Sequence, residues 1–111
     1  MELTEEQRSG VTVVTACGRL DGASSDVFAE RLGRLIAGTR PRLVVDFAEV
    51  NFVSSAGLRA VLILMKKVKA AGGAFALCAV QDPVREVLDI TGLTGMIDIH
   101  PELSSALAAM A

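Results

Sequence analysis

The sequence predicts an α/β domain built on a mixed, mostly parallel sheet of four or five strands, with about four helices. Short β-branched and apolar segments alternate with longer segments of helical periodicity, a pattern typical of strands joined by helical crossovers. The length of 111 residues suits one domain over residues 1–111, and 51% of the residues are hydrophobic, enough for a core without disulfides. We expect the helices largely on one side of the sheet, and an N-terminal edge strand that runs against the other strands.

Eight elements follow from the apolar pattern and from the residues that start or stop each one. Gly18 is expected to end the first strand, Ser24 or Ser25 to cap the first helix, and Gly72 and Gly73 to end the second helix. The predicted strands are residues 11–16, 43–45 (with 52–53 as a candidate extension), 74–80 and 97–99. The predicted helices are residues 26–37, 54–71, 83–88 and 101–110.

Composition argues against binding to nucleic acid or membranes. The formal net charge is -2, and the chain has no Trp or Tyr, so it lacks both a basic field and aromatic stacking groups. The longest central apolar stretch lies between Arg59 and Lys66 and is far too short to span a bilayer. Cys17 and Cys78 lie in apolar runs, where we expect buried free thiols. With a polar, acidic N-terminus, these features predict a cytoplasmic protein.

The segment with the most chemical information is residues 51–58, where strand-like residues give way to a helix. Two hydroxyl groups, on Ser54 and Ser55, stand at that boundary. A serine there can simply cap the helix by accepting a hydrogen bond from a free backbone N–H group. Alternatively, one serine is exposed at the positive helix end, where an added phosphate would be stabilised. Local chemistry leaves both interpretations open.

The helix that follows divides into two faces at 100° per residue. Arg59, Ile63 and Lys66 lie on the outer face, with Lys67 and Ala70. Ile63 in the middle of that basic face is either a solitary exposed residue or a partner contact with a basic rim. Six residues form the broad arc that we expect to face the sheet: Leu58, Val61, Leu62, Leu64, Met65 and Val68.

Four motifs resemble those of bacterial anti-sigma-factor antagonists, the STAS domain family. They occur in the family's order and spacing along nearly the whole chain, although each is weak alone. They are Gly-Arg-Leu-Asp at 18–21, Val-Asp-Phe at 45–47 with Phe-Val-Ser-Ser-Ala-Gly-Leu at 52–58, the basic helix end closed by Gly-Gly at 69–73, and Leu-Asp-Ile-Thr-Gly-Leu at 88–93. The resemblance implies a STAS-type fold and a partner-switching function.

In such a switch, the unphosphorylated antagonist binds an anti-sigma factor that is also a serine kinase with a histidine-kinase-like ATPase fold. Phosphorylation of one serine dissociates the complex, and a metal-dependent serine phosphatase reverses the modification. The motif assigns the phosphate to Ser55. Ser54 stands where the family often has an acidic residue and Ala56 where it often has a hydroxyl, so Ser54 is a second candidate. Asp21 matches an aspartate that the family places near the phosphorylation loop. Its role is either at that loop or only in a turn.

The resemblance thus predicts a binding protein, a monomer or weak dimer, and no enzyme, cofactor or metal site. The only histidine, His100, could act as a base only if the fold brought it to Ser55, and no phosphate-binding glycine motif is present. A scaffold or regulatory STAS module without a dedicated sigma factor is the alternative function. The predicted partner-binding residues are Asp21, Ser54, Ala56, Gly57, Arg59, Ile63 and Lys66.

Overall fold

Five strands form one sheet in the structure, a computed structural model that describes residues 1–36 and 38–110. The strands are β1 (Glu2–Arg8), β2 (Val11–Leu20), β3 (Arg42–Val53), β4 (Ala74–Cys78) and β5 (Asp98–His100). The helices are α1 (Ser25–Gly33), α2 (Ser55–Ala70), α3 (Asp82–Ile90) and α4 (Leu103–Met110), and a 3-10 turn spans Leu93–Gly95. No helix within the described residues is long and apolar enough to cross a lipid bilayer.

The strand order in space equals the order in sequence. β1 is antiparallel to β2, and all later neighbours are parallel, which confirms the predicted mixed sheet with an N-terminal edge strand. The crossovers through α1, α2 and α3 all step in the same direction across the sheet. Because such crossovers are right-handed, these three helices lie on one face. α4 follows the last strand, is not part of a crossover, and packs on the other face.

Two apolar clusters fill the two sides of the sheet. The larger one joins alternate residues of the strands, such as Val45 and Leu77, to Phe28 of α1 and Leu64 of α2. Residues of opposite orientation form the smaller cluster with α4: Val11, Val13, Val44, Ala76, Cys78 and Ala106. This alternation follows from the period of two along a strand. The predicted placement of the helices largely on one side is therefore confirmed for the three crossover helices.

β2 and β3 are longer than the sequence pattern predicted. Gly18 was expected to end the first strand, but β2 continues to Leu20, and Gly18 takes a φ of +115° beside a register shift. That backbone angle is strained for residues with a side chain, so glycine continues the strand here. β3 likewise continues from Phe47 to Val53, about 23 Å beyond its last pair with β4. The ends of β2 and β3 therefore extend past the rest of the sheet.

α1 is shorter than predicted. The apolar spacing indicated a helix over 26–37, but α1 ends at Gly33. The backbone N–H groups of Leu35 and Ile36 donate to carbonyls three residues back rather than four. Glycine has a low helix propensity, which explains the early end. Ala37 lies outside the described residues. The other predicted helices and the strands at 74–80 and 97–99 agree with the structure to within two residues at each end.

The prediction that both cysteines are buried is wrong for Cys17. Cys78 is buried under α4, and burial, with a smaller contribution from Asp46, raises the pKa of its thiol to about 12. Cys17 is exposed, although it lies on the same face of the sheet. The reason is that α4 covers the first residues of β2, around Val11 and Val13, and does not reach the far end of the strand.

We predict that the α4 contact tolerates no extra volume. Ala106 is completely buried, so Ala106→Leu should lower the free energy of unfolding by about 1–3 kcal/mol through overpacking. Ala108→Leu, at an exposed position of the same helix, should change it by less than about 0.5 kcal/mol. Urea unfolding of both variants measures the difference, and equal stabilities would contradict this packing.

Candidate functional site

The carbonyl oxygen of Leu20, at the end of β2, organises the start of α2. It accepts a hydrogen bond of 2.9 Å from the backbone N–H of Ser54, directly after β3. The same oxygen lies so close to Gly57 that a Cβ atom there would approach it to 2.5 Å. Gly57 is also buried against the side chains of Leu20 and Val53. The ends of two strands and the first turn of α2 are thus held in one contact.

Ser54 and Ser55 have different surroundings. Ser54 is the N-cap of α2, and its Oγ accepts a hydrogen bond of 3.2 Å from the backbone N–H of Gly57. Ser55 is the first helical residue and is exposed. Its hydroxyl has no hydrogen-bond partner within the described residues, 1–36 and 38–110. One serine therefore satisfies the helix end, and the other presents a hydroxyl group to the surface.

Gly57 was predicted to contact a partner, but the structure buries it. Its close approach to Leu20 leaves no surface to present, so its role is to let α2 pack tightly on the strand ends. Ala56 and Arg59, on either side of it, are exposed. We therefore keep these two residues as candidate contacts and assign a packing role to Gly57.

The outer face of α2 carries the remaining predicted residues. Arg59, Lys66 and Ile63 are exposed, and Ile63 keeps 41% of its surface in contact with solvent. Five of the six residues expected to face the sheet are buried, while Leu62 is only half-buried. Ser55, Arg59 and Ile63 are each four residues apart, and this spacing aligns them along one stripe of the helix. We call this the α2 stripe.

A shallow groove of about 300 Å³ runs between α1 and α2 beside the α2 stripe. Alanines form much of its lining, and Asp26 of α1 and Arg59 of α2 bring opposite charges to it. The α1 side of this groove was not predicted from the sequence, although small residues at helical spacing in both helices were a usable signal. The residues that line the groove are Ser25, Asp26, Ala29, Ala56, Arg59, Ala60 and Ile63.

Asp21 occupies a tight turn between β2 and α1. Its Oδ1 accepts hydrogen bonds from the backbone N–H groups of Ala23 (3.1 Å) and Ser24 (3.2 Å). The N–H of Ser24 contributes most to a lowered pKa of the Asp21 carboxyl group. Since the pKa is lowered on folding, this group stabilises the turn at neutral pH, and that stabilisation is lost as the pH falls through the folded-state pKa.

Asp21 and the α2 stripe lie on different sides of α1. Asp21 lines a separate, largely apolar groove of about 510 Å³, together with Arg19, Met1 and Val27. Arg19 is held there by an ion pair of 3.6 Å with Asp21 and by the ring of Phe52, whose centroid is 4.0 Å from the guanidinium carbon. The structure therefore does not bring Asp21 and Ile63 into one groove, although both lie near the start of α1.

His100 is remote from Ser55. It ends β5 and pairs with Cys78 of β4, which in turn pairs with Asp46 of β3. Ser55 comes only after β3 has continued to Val53, about 23 Å further along the strand. The requirement that a histidine base lie within hydrogen-bond reach of Ser55 is not met. Within the described ranges, no group of three or more His, Cys, Asp or Glu side chains is placed to hold a metal ion.

The sequence that forms this site matches a known family. The family model described as the STAS domain matches residues 2–106. The chain belongs to the STAS domain family. An anti-sigma F factor antagonist of Paenibacillus polymyxa is 28% identical over 111 residues, covering 99% of this chain and 95% of that protein. STAS antagonists of this kind are regulatory binding proteins, and this chain has that general role.

Solved structures agree on the fold. The crystal structure of an anti-sigma factor antagonist from Mycobacterium paratuberculosis has a TM-score of 0.88 and 28% identity, covering 98% of this chain and 92% of that one. The anti-sigma factor antagonist SpoIIAA in its unphosphorylated form has a TM-score of 0.78 and 23% identity, covering 96% and 93%. Its phosphorylated form, described as a Bacillus cell fate determinant, has a TM-score of 0.74 and 21% identity, covering 99% and 100%.

We predict that Gly57 is required for the packing at Leu20. Gly57→Ala should lower the free energy of unfolding by about 1–3 kcal/mol, because the new methyl group collides with the Leu20 carbonyl oxygen, which cannot move without displacing β2. Gly33→Ala is the matched control, since a Cβ at that helical glycine meets no atom within 4 Å. Chemical denaturation compares the two variants, and equal losses would contradict the proposed contact.

Proposed function

We propose that this protein is an anti-sigma-factor antagonist whose unphosphorylated form binds a serine-kinase anti-sigma factor and dissociates from it when Ser55 is phosphorylated. A metal-dependent serine phosphatase restores the binding form. The observation that carries the proposal is the division of roles between the two serines: Ser54 caps α2, while Ser55 is exposed and free to be modified. Because the kinase consumes ATP, the proposed site of action is the cytoplasm.

The proposed modification is a phosphoryl transfer. The Oγ–P bond of Ser55 forms while the bond between the γ-phosphorus of ATP and its bridging oxygen breaks. ADP leaves with the electron pair of that bond, and the hydroxyl proton passes to a base of the kinase. The product carries about -1.5 to -2 of added charge at the N-terminus of α2, where the helix dipole favours anions. Phosphorylation therefore changes the contact surface without unfolding the domain.

The α2 stripe and the adjoining groove form the proposed contact surface. Ile63 supplies apolar area, and Arg59 and Lys66 supply a basic rim around it. Ala56 adds small, exposed surface next to Ser55. An apolar centre with a polar rim is the usual arrangement of a protein interface, so a partner with an apolar side chain and carboxylates fits this surface.

We expect the two serines to respond differently to substitution. Ser55→Ala should abolish phosphorylation by the cognate kinase and Mg-ATP, keep full kinase affinity, and change stability by less than about 0.5 kcal/mol. Ser54→Ala should lower the free energy of unfolding by about 1 kcal/mol through loss of the cap, yet still be phosphorylated. Phosphopeptide mapping, calorimetric binding and urea unfolding measure the three properties.

Two results would contradict the assignment of the phosphate to Ser55. One is phosphate on Ser54 in the Ser55→Ala variant. The other is equal kinase affinity of the phosphorylated and unphosphorylated forms. Self-association without any nucleotide-dependent binding to the kinase would instead favour a scaffold function for this STAS domain.

We also expect Ile63→Asp to weaken binding of the unphosphorylated protein to the kinase by at least about tenfold, because it places a charge in the apolar centre of the interface. The folding cost should stay within about 0.5 kcal/mol, since Ile63 is exposed. Ile90→Asp makes the same change at a residue that is 79% exposed on α3 and should leave affinity unchanged. Equal affinities of both variants and the parent would show that the α2 stripe is not the contact.

A further inference from the structure

All charged residues of helix α2 are basic. It carries Arg59, Lys66, Lys67 and Lys69 and no acidic residue, although the chain as a whole has more acidic than basic residues. Of these cations, Arg59 is one turn after Ser55, a spacing at which the two Cβ atoms are about 5–6 Å apart. Lys66 is eleven residues further along than Ser55, about 16 Å along the helix axis. Arg59 is therefore the cation of α2 within reach of a phosphate on Ser55.

The guanidinium of Arg59 is also available. It forms no ion pair within 4.0 Å in the described part of the chain, in contrast to Arg19, Arg34 and Arg85. Arg19 is the other arginine near the end of β3, and its guanidinium is already paired with Asp21 and stacked on Phe52. A phosphate on Ser55 could recruit Arg59 without breaking a contact, whereas recruiting Arg19 would break two.

Two acidic side chains precede or begin α1, the helix that packs beside Arg59. Asp26 of α1 shares the groove with Arg59, and Asp21 is held by the backbone of its own turn. A phosphate carries up to twice the charge of Asp26 and three acceptor oxygens, and the planar guanidinium can donate to two of them at once. The phosphate therefore competes favourably with Asp26 for Arg59.

We propose that Arg59 binds the phosphate on Ser55 within the same helix, and that this contact takes Arg59 away from the partner surface. The inference rests on the proposed phosphorylation of Ser55 and extends it to a mechanism. Modification then acts twice: it adds negative charge beside the groove, and it neutralises the nearest cation of the basic rim. The α2 stripe changes from basic to acidic at one end while its apolar centre stays in place.

The test uses the full chain with phosphoserine incorporated at position 55 during translation, so that no kinase is needed. The second pKa of the phosphate, near 6 in a free phosphoserine, is measured by ³¹P NMR titration. Arg59→Gln should raise this pKa by about half a unit to one unit, because the dianion loses its cationic partner. Arg59→Lys should restore part of the difference, since lysine keeps the charge but not the two-pronged donor.

Arg19→Gln and Lys66→Gln are the matched controls and should leave the phosphate pKa within about 0.2 units of the parent value. An unchanged pKa in Arg59→Gln, or a larger rise in Arg19→Gln, would overturn the proposal. Circular dichroism of each variant verifies folding, and Arg59 is exposed, so its substitution should be tolerated. If a kinase instead modifies Ser54, the proposed function fails, but this titration still reports whether Arg59 holds a phosphate at position 55.

Discussion

The contact between the Leu20 carbonyl oxygen and the first turn of α2 is the constraint on which the site depends. That oxygen fixes Ser54 by a backbone hydrogen bond and leaves room only for a glycine at position 57. β2, β3 and α2 meet there, so their relative positions cannot change independently. Since β2 and β3 extend beyond the rest of the sheet, the start of α2 lies at its far end, with Ser55 exposed above a buried contact.

This constraint decides which of two adjacent serines caps the helix and which one is exposed. With Ser54 fixed after β3, its side chain reaches the N–H of Gly57 and satisfies one of the free donors of the helix end. Ser55 then begins the helix with its side chain exposed, and its hydroxyl makes no hydrogen bond within the described residues that a modification would break. A chemical modification at Ser55 can therefore alter the surface while the cap, and with it the helix, stays intact.

Much of the fold could be predicted from sequence, because apolar runs and glycine stops report directly on buried strands and helix ends. β1 gave little local signal, since Leu3 is its only buried residue. The length of β3 was missed because half of it lies beyond β4 and exposes Glu49 and Asn51. The exposure of Cys17 depends on where α4 ends, and the burial of Gly57 depends on Leu20. Both depend on tertiary contacts, which the local sequence pattern does not predict.

The proposed switch requires that the charge of a surface change while its shape stays the same. The N-terminus of α2 meets this requirement, because the helix dipole and the free N–H groups favour an added anion. Because α2 has no acidic residue, its unmodified surface is basic, and a single phosphate beside Arg59 reverses the local sign of charge. Ile63 is exposed and lies eight residues after Ser55, so in the proposed switch the apolar contact alone does not distinguish the two forms. In the proposed switch, the affinity difference between the two forms therefore comes from the charge at this end of the α2 stripe, to which the phosphate and Arg59 both contribute.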